Sequence, residues 1–287
     1  TDRDGKDALT AWRRDMKPRI NEASAFALML LAVAALIPSF SACREDKTMD
    51  LITVSRRRLQ AIPQNRWDAL AQKRIFFGHQ SVGQNILEGL RAVLAATPGI
   101  RLDLHETSDP RDFDRPIFAH SPIGQNSDPR GKIDHFRSIL ESGIGLKADV
   151  ALFKFCYVDI NPSTDLQGLM DHYDRALSEL GANFPRLTIL AVTAPLTNTV
   201  PGIKSRIKGL LGKGAALREE NARRNVINDH IRKNYGQALW DLAAVEAMTA
   251  KGNRVLARGG RGTIELLNPA YTSDGGHLNE VGSQIVA

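Results

Sequence analysis

The chain has 287 residues, 43% of them hydrophobic, with 23 glycines and 13 prolines. That is an ordinary globular composition, long enough to bury a sizeable core in one large domain with an appendage. The net charge of +6 is modest, only 6% of residues are aromatic, and the basic residues form no stripe interleaved with aromatics, which excludes a nucleic-acid-binding surface. The surplus suits a chain that meets anionic lipid or polysaccharide. Cys43 and Cys156, the only two cysteines, exclude a disulfide framework.

Residues 1–15 read as an upstream extension. From Met16 the chain carries Lys17 and Arg19, an apolar stretch from Ala25 to Ile37, and small residues leading to Cys43. A charged start, a short apolar centre and a small-residue exit match a secretory signal. Phe40-Ser41-Ala42-Cys43 resembles the bacterial lipoprotein cleavage box, on which reading Cys43 becomes a lipidated N-terminus. The other reading is a plain membrane anchor with an incidental cysteine. Both put the body outside the cytoplasm, in the cell envelope.

Residues 44–73 read as a charged tether and an N-terminal helix, the latter from Ser55 to Lys73 with an interruption at Pro63. Strands and helices then alternate. Arg74–Phe77 is an apolar strand and Gln84–Ala96 an amphipathic helix. Ile100–His105 alternates as a half-buried strand does. Residues 106–130 are rich in Asp, Pro and Ser and have no period; a loop this long inside a compact domain is usually functional. A helix follows over 131–142, a strand over 149–156, a helix over 163–180 and a strand over 187–193. A long helix over 215–233, a short strand in "ALWDL" and a small helix close the pattern. This alternation predicts an α/β fold, a three-layer sandwich around a mostly parallel sheet.

In open parallel sheets, ligands collect where strand ends meet helix N-termini. Ser81 stands at such a corner, after Gly78 and before the first helix. It reads either as a helix cap or as a nucleophile whose oxyanion the helix N-terminus helps to hold. Asp274 lies three residues before His277, so the carboxylate can hold one ring nitrogen and leave the other to act as base.

With Gly78-His79-Gln80-Ser81 after the first strand and Asp274-Gly275-Gly276-His277 near the C-terminus, residues 74–287 resemble the SGNH/GDSL hydrolase superfamily. "ILAVTAPLT", Asn221 in the long helix and "ALWDLAAV" fall where that family places a strand, an asparagine-bearing helix and a short strand. The resemblance implies a flavodoxin-like sheet and a serine esterase without cofactor or metal, with Ser81 as nucleophile, His277 as base and Asp274 as its orienting group. Its first block departs from Gly-Asp-Ser by carrying His79 and Gln80. Its third block falls near Cys156-Tyr157-Val158-Asp159, where Asp159 fits but Val158 replaces an oxyanion asparagine.

The resemblance leaves the missing donor among Gly124, Gln125, Asn126 and Asn161. His79 remains open as a structural hydrogen bonder, a substrate contact with Gln80, or a metal ligand with His120 and His277. Acyl esters, O-acetyl groups on polysaccharide among them, are the implied substrates. Acyl transfer by the same residues and a non-catalytic glycan-binding module are the rival readings.

Overall fold

The computed structural model describes residues 51–199, 213–259 and 262–287. Cys43 and the whole segment 1–50 lie outside the described residues. Helix α1 covers 51–60, and α2 runs Gln64–Ala71, so Pro63 does divide the first helical stretch. Then come β1 (Arg74–His79), α3 (Val82–Ala96), β2 (Leu104–Glu106), β3 (Ile117–Pro122), α4 (Pro129–Ile139), β4 (Val150–Phe153), α5 (Leu166–Asn183) and β5 (Thr188–Val192). The remainder is α6 (Lys213–Tyr235), β6 (Leu239–Trp240), α7 (Leu242–Ala247), the strands β7 (Leu256–Gly259) and β8 (Gly262–Glu265), and α8 (Glu280–Val286).

The central sheet has six strands in the order β2-β3-β1-β4-β5-β6, and every pairing in it is parallel. Helices cover both faces, as parallel sheets require. Because side chains alternate across a strand, Phe76, Ala151 and Ala191 enter the core on one face, against α4, α5 and α6. Ile75, Phe77, Leu152 and Val192 enter the core on the other, against α3, α7 and α8. Leu51 of α1 and Leu70 of α2 join this second core. The result is a three-layer α/β sandwich.

Helix starts follow their sequence cues. Asp128, Asp165, Asp241 and Asn279 each accept a backbone N–H from the first turn of α4, α5, α7 and α8, which satisfies donors that the helix leaves orphaned. α3 and α8 touch so closely that a Cβ on Gly89 would stand 2.0 Å from the Ser283 carbonyl oxygen.

Two expectations are corrected. The segment 106–130 is not one long loop: Pro110–Asp114 is a 3₁₀ turn and Ile117–Pro122 is β3, inside the sheet beside β1. The strand expected over Ile100–His105 is confined to Leu104–Glu106. In addition, β7 and β8 form an antiparallel hairpin in a stretch where no period announced it.

From β1 the chain passes to the edge strand β2, returns inward through β3, and then crosses β1 to place β4 on its opposite side. The loops leaving β1 and β4 therefore part at this reversal, the position where α/β sheets open a crevice.

Candidate active site

Ser81 sits at that crevice, between β1 and α3. Its backbone has φ 47° and ψ −102°, a conformation that costs a non-glycine residue on the order of 1–3 kcal/mol. Its hydroxyl makes no capping bond to α3, so the helix-cap reading of Ser81 is not the one realised. Ser81 Oγ instead lies 2.7 Å from His277 Nε2. A close approach explains the shape of the turn: a Cβ on Gly83 would stand 2.3 Å from His79 Cβ, so only glycine lets α3 start this near the strand end.

His277 Nδ1 lies 2.7 Å from Asp274 Oδ2. The other carboxylate oxygen, Oδ1, accepts the backbone N–H groups of Gly276 and His277 at 2.9 and 2.8 Å. Partial burial pushes the Asp274 carboxyl up, but these N–H groups and the His277 ring outweigh it and hold it at about 2. Asp274 is thus anionic at neutral pH, with His277 Nδ1–H as the donor to it and Nε2 free to accept a proton from Ser81. Tyr157 packs edge-on against the His277 ring at 5.6 Å.

Two buried cations hold the surrounding loops. Lys132, fully buried, donates from Nζ to Asp159 Oδ2 at 2.6 Å and to Asn126 Oδ1 at 3.1 Å. Asp159 also accepts the Cys156 and Ser127 N–H groups at 2.6 and 2.8 Å, which couples the loop after β3 to the turn after β4. Arg224 on α6, its pKa lowered by burial to about 10, donates to the Tyr157 carbonyl at 2.7 Å and to Thr197 Oγ1 at 2.6 Å. Asn221 on the same helix donates to the Thr197 carbonyl at 2.8 Å, and the next residue, Asn198, donates its N–H to Gly275 O at 2.8 Å. α6 therefore braces the loop that supports the Asp274–His277 turn.

The remaining candidates fall in different places. Gln80 ties the serine turn to the β3 loop, donating from Nε2 to Ile123 O and Gly124 O at 3.3 and 3.1 Å. The Gly124 N–H donates to His135 Nδ1 at 2.9 Å, so it is not offered to the crevice, and Gly124 is corrected from oxyanion donor to part of the scaffold. Asp159 is buried in its ion pair and touches no crevice surface; it too is scaffold. Asn161 Oδ1 accepts Ser163 N and Oγ, a local turn role. Asn126 is exposed, and because an ammonium can only donate, Lys132 fixes its Oδ1 inward and leaves the amide NH₂ outward.

His79 is corrected from substrate contact to buried partner: only 3% exposed, it has Nε2 at 3.2 Å from His120 Nδ1. Burial, then the neighbouring His120, Lys154 and Arg91, lower its pKa to about 3, so it is neutral near pH 7. His120 thus faces His79 rather than His277, and among the described residues no group of three or more His, Cys, Asp or Glu side chains is placed to hold a metal. Sequence reasoning missed Lys132 and Arg224 as site residues. Each is a charged residue within an amphipathic helix, where a solvent-facing role is the default reading, and only their burial reveals otherwise.

No family model matches the chain, and no curated protein does. Among solved structures, the chain is similar to a protein of Streptococcus pneumonia provisionally named a platelet activating factor, at 13% identity and a TM-score of 0.42, covering 88% of this chain and 95% of that one. It is also similar to the periplasmic domain of a Salmonella ser. Paratyphi A lipopolysaccharide acetyltransferase, at 14% identity and a TM-score of 0.41, covering 75% of this chain and 81% of the other.

Proposed function

We propose that the protein is a serine esterase of the SGNH type that hydrolyses an acyl ester. The observation that carries this reading is the unbroken chain Ser81 Oγ–His277–Asp274, both links 2.7 Å long, starting from a strained serine at the switch point of the sheet. Ser81 Oγ attacks the acyl carbonyl while His277 Nε2 takes its proton, and Asp274 stabilises the imidazolium. His277 returns that proton to the leaving alcohol. Water, losing a proton to the same nitrogen, then releases the acid and restores Ser81.

The oxyanion is held by the Ser81 N–H and the outward amide of Asn126, which takes the part left vacant by Val158. A missing donor of this kind costs roughly 3–4 kcal/mol in other hydrolases. Next to the Asp274–His277 turn lies a groove of about 420 Å³, lined by Asp274, Gly276, Asn161, Asn198 and Glu220 but by neither Ser81 nor His277. Its polar rim supports a hydroxyl-rich alcohol, such as an O-acetylated carbohydrate.

Hydrolysis is favoured over acyl transfer by the exposure of the His277 side chain, 45%, which gives water access to the base. Export and anchoring through Cys43 belong to the same proposal and rest on the sequence of residues 16–43. The test is labelling of the purified protein by a fluorophosphonate probe. The reading requires labelling that Ser81→Ala and His277→Ala both abolish; folded protein that stays unlabelled would turn it toward a glycan-binding module.

A further inference from the structure

A cavity of about 480 Å³ lies on the second face of the sheet, walled by Phe77, Phe118, Leu152 and Trp240 from the strands, Leu90 from α3 and Trp67 from α2. Folded cores rarely keep voids much larger than a water molecule, and an apolar void of ~150 Å³ already takes up benzene. This one falls within the range of about 300–1,000 Å³ that small-molecule sites occupy. Its lining is apolar with few polar groups, and two of those lack a matching partner. Arg58, on α1, has the Met248 sulfur at 4.0 Å as its hydrogen-bond acceptor. Among the described residues no carboxylate pairs with it. The Thr249 hydroxyl is buried with no hydrogen-bond partner.

We infer that this cavity binds a single-chain amphiphile with an anionic head, its chain in the apolar chamber and its head on Arg58 and Thr249. The guanidinium matches a carboxylate or phosphate through paired N–H donors, and the hydroxyl adds a third. The site is separate from the proposed catalytic one, since neither Ser81 nor His277 lines it. Phe77, four residues before Ser81, points to the second face of the sheet, while Ser81 stands in the turn beyond the end of β1. The inference therefore does not depend on the esterase reading.

A free fatty carboxylate and a lysophospholipid share this chemistry, and titrations of the full chain with dodecanoate and with an anionic lysophospholipid distinguish them. Trp67 and Trp240 face the cavity, so their fluorescence reports occupancy. The expected result is a saturable, one-to-one change for at least one of the two ligands. Arg58→Glu, an exposed position that tolerates substitution, weakens that binding at least tenfold and leaves dodecanol binding unchanged. Leu90→Trp, which fills the chamber, removes both as followed by titration calorimetry, and a far-ultraviolet circular dichroism spectrum and cooperative unfolding like the parent's certify its fold. If Leu90→Trp does not fold, Val93→Phe takes its place.

Ser81→Ala binds as the parent does. Loss of binding in Ser81→Ala would put the ligand in the catalytic crevice and overturn the inference. A response that never saturates would overturn it too, as adsorption to the apolar segment 25–37. So would Arg58→Glu binding as tightly as the parent, or no response to either ligand.

Discussion

Asp274 shows how much of the site depends on one side chain's surroundings. Its carboxyl, held at about 2, has a folded pKa below the unfolded value near 3.8. The associated stability is complete above about pH 4 and disappears as pH falls toward 2; the side chain is 57% exposed, so solvent screening keeps the contribution small. The larger consequence is for the imidazole. Asp274→Asn keeps the shape but offers His277 the wrong tautomer, and kcat for a chromogenic acetate ester should fall roughly 10³- to 10⁴-fold with KM little changed. The Ser81, Asp274 and His277 positions were legible in the sequence because each sits where a short motif meets a strand or helix end. Their partners were not. Gly124 looked like a donor to the crevice because nothing in the residue string reveals that the His135 ring, eleven positions on, has claimed its N–H.

At the scale of elements, ordinary hydrophobic periodicity located most helices and five of the six sheet strands, with β2 shorter and later than expected. β3 escaped because its inward residues include His120 and Ser121 and its end is Pro122, a composition that reads as loop until the His79 ring is seen to receive one of them. The loops on top of the sheet are joined by charges that periodicity cannot forecast. Lys132→Met leaves the buried Asp159 carboxylate without its cation, and unfolding in urea should show a loss of about 3–5 kcal/mol. The contact between α3 and α8 is equally unforgiving. Gly89→Ala forces a methyl group into the Ser283 carbonyl. It should cost at least about 1–3 kcal/mol, measurable as a lowered Tm, and should slow probe labelling of Ser81 because α3 begins at that residue.

For the whole molecule, acid is the condition that the buried groups resist least. His79 is held near pKa 3 against 6.5 for a free imidazole, with His120, Lys154 and Arg91 as its charged or titratable neighbours. Its folded pKa is lowered, so the unfolded chain takes up the proton first. Stability should then drop by about 1.4 kcal/mol for each unit of pH below 6.5 until pH approaches 3. Glu246 works in the opposite sense: burial raises its pKa to about 8 from 4.5, against the Leu196 N–H, Lys154 and Arg224. Its folded form keeps the proton longer, and stability tied to it declines as pH climbs from 4.5 to 8. Equilibrium unfolding of His79→Gln and Glu246→Gln across pH 4–8 should flatten the two limbs separately. The 2.7 Å contact between Ser81 and His277 spans 196 residues of chain. A ribosome must therefore release the chain through His277 before the two can meet, by which time all six strands of the central sheet are already available to pair. Whatever chemistry Ser81 and His277 perform together is thus absent from any nascent chain that has not yet reached His277.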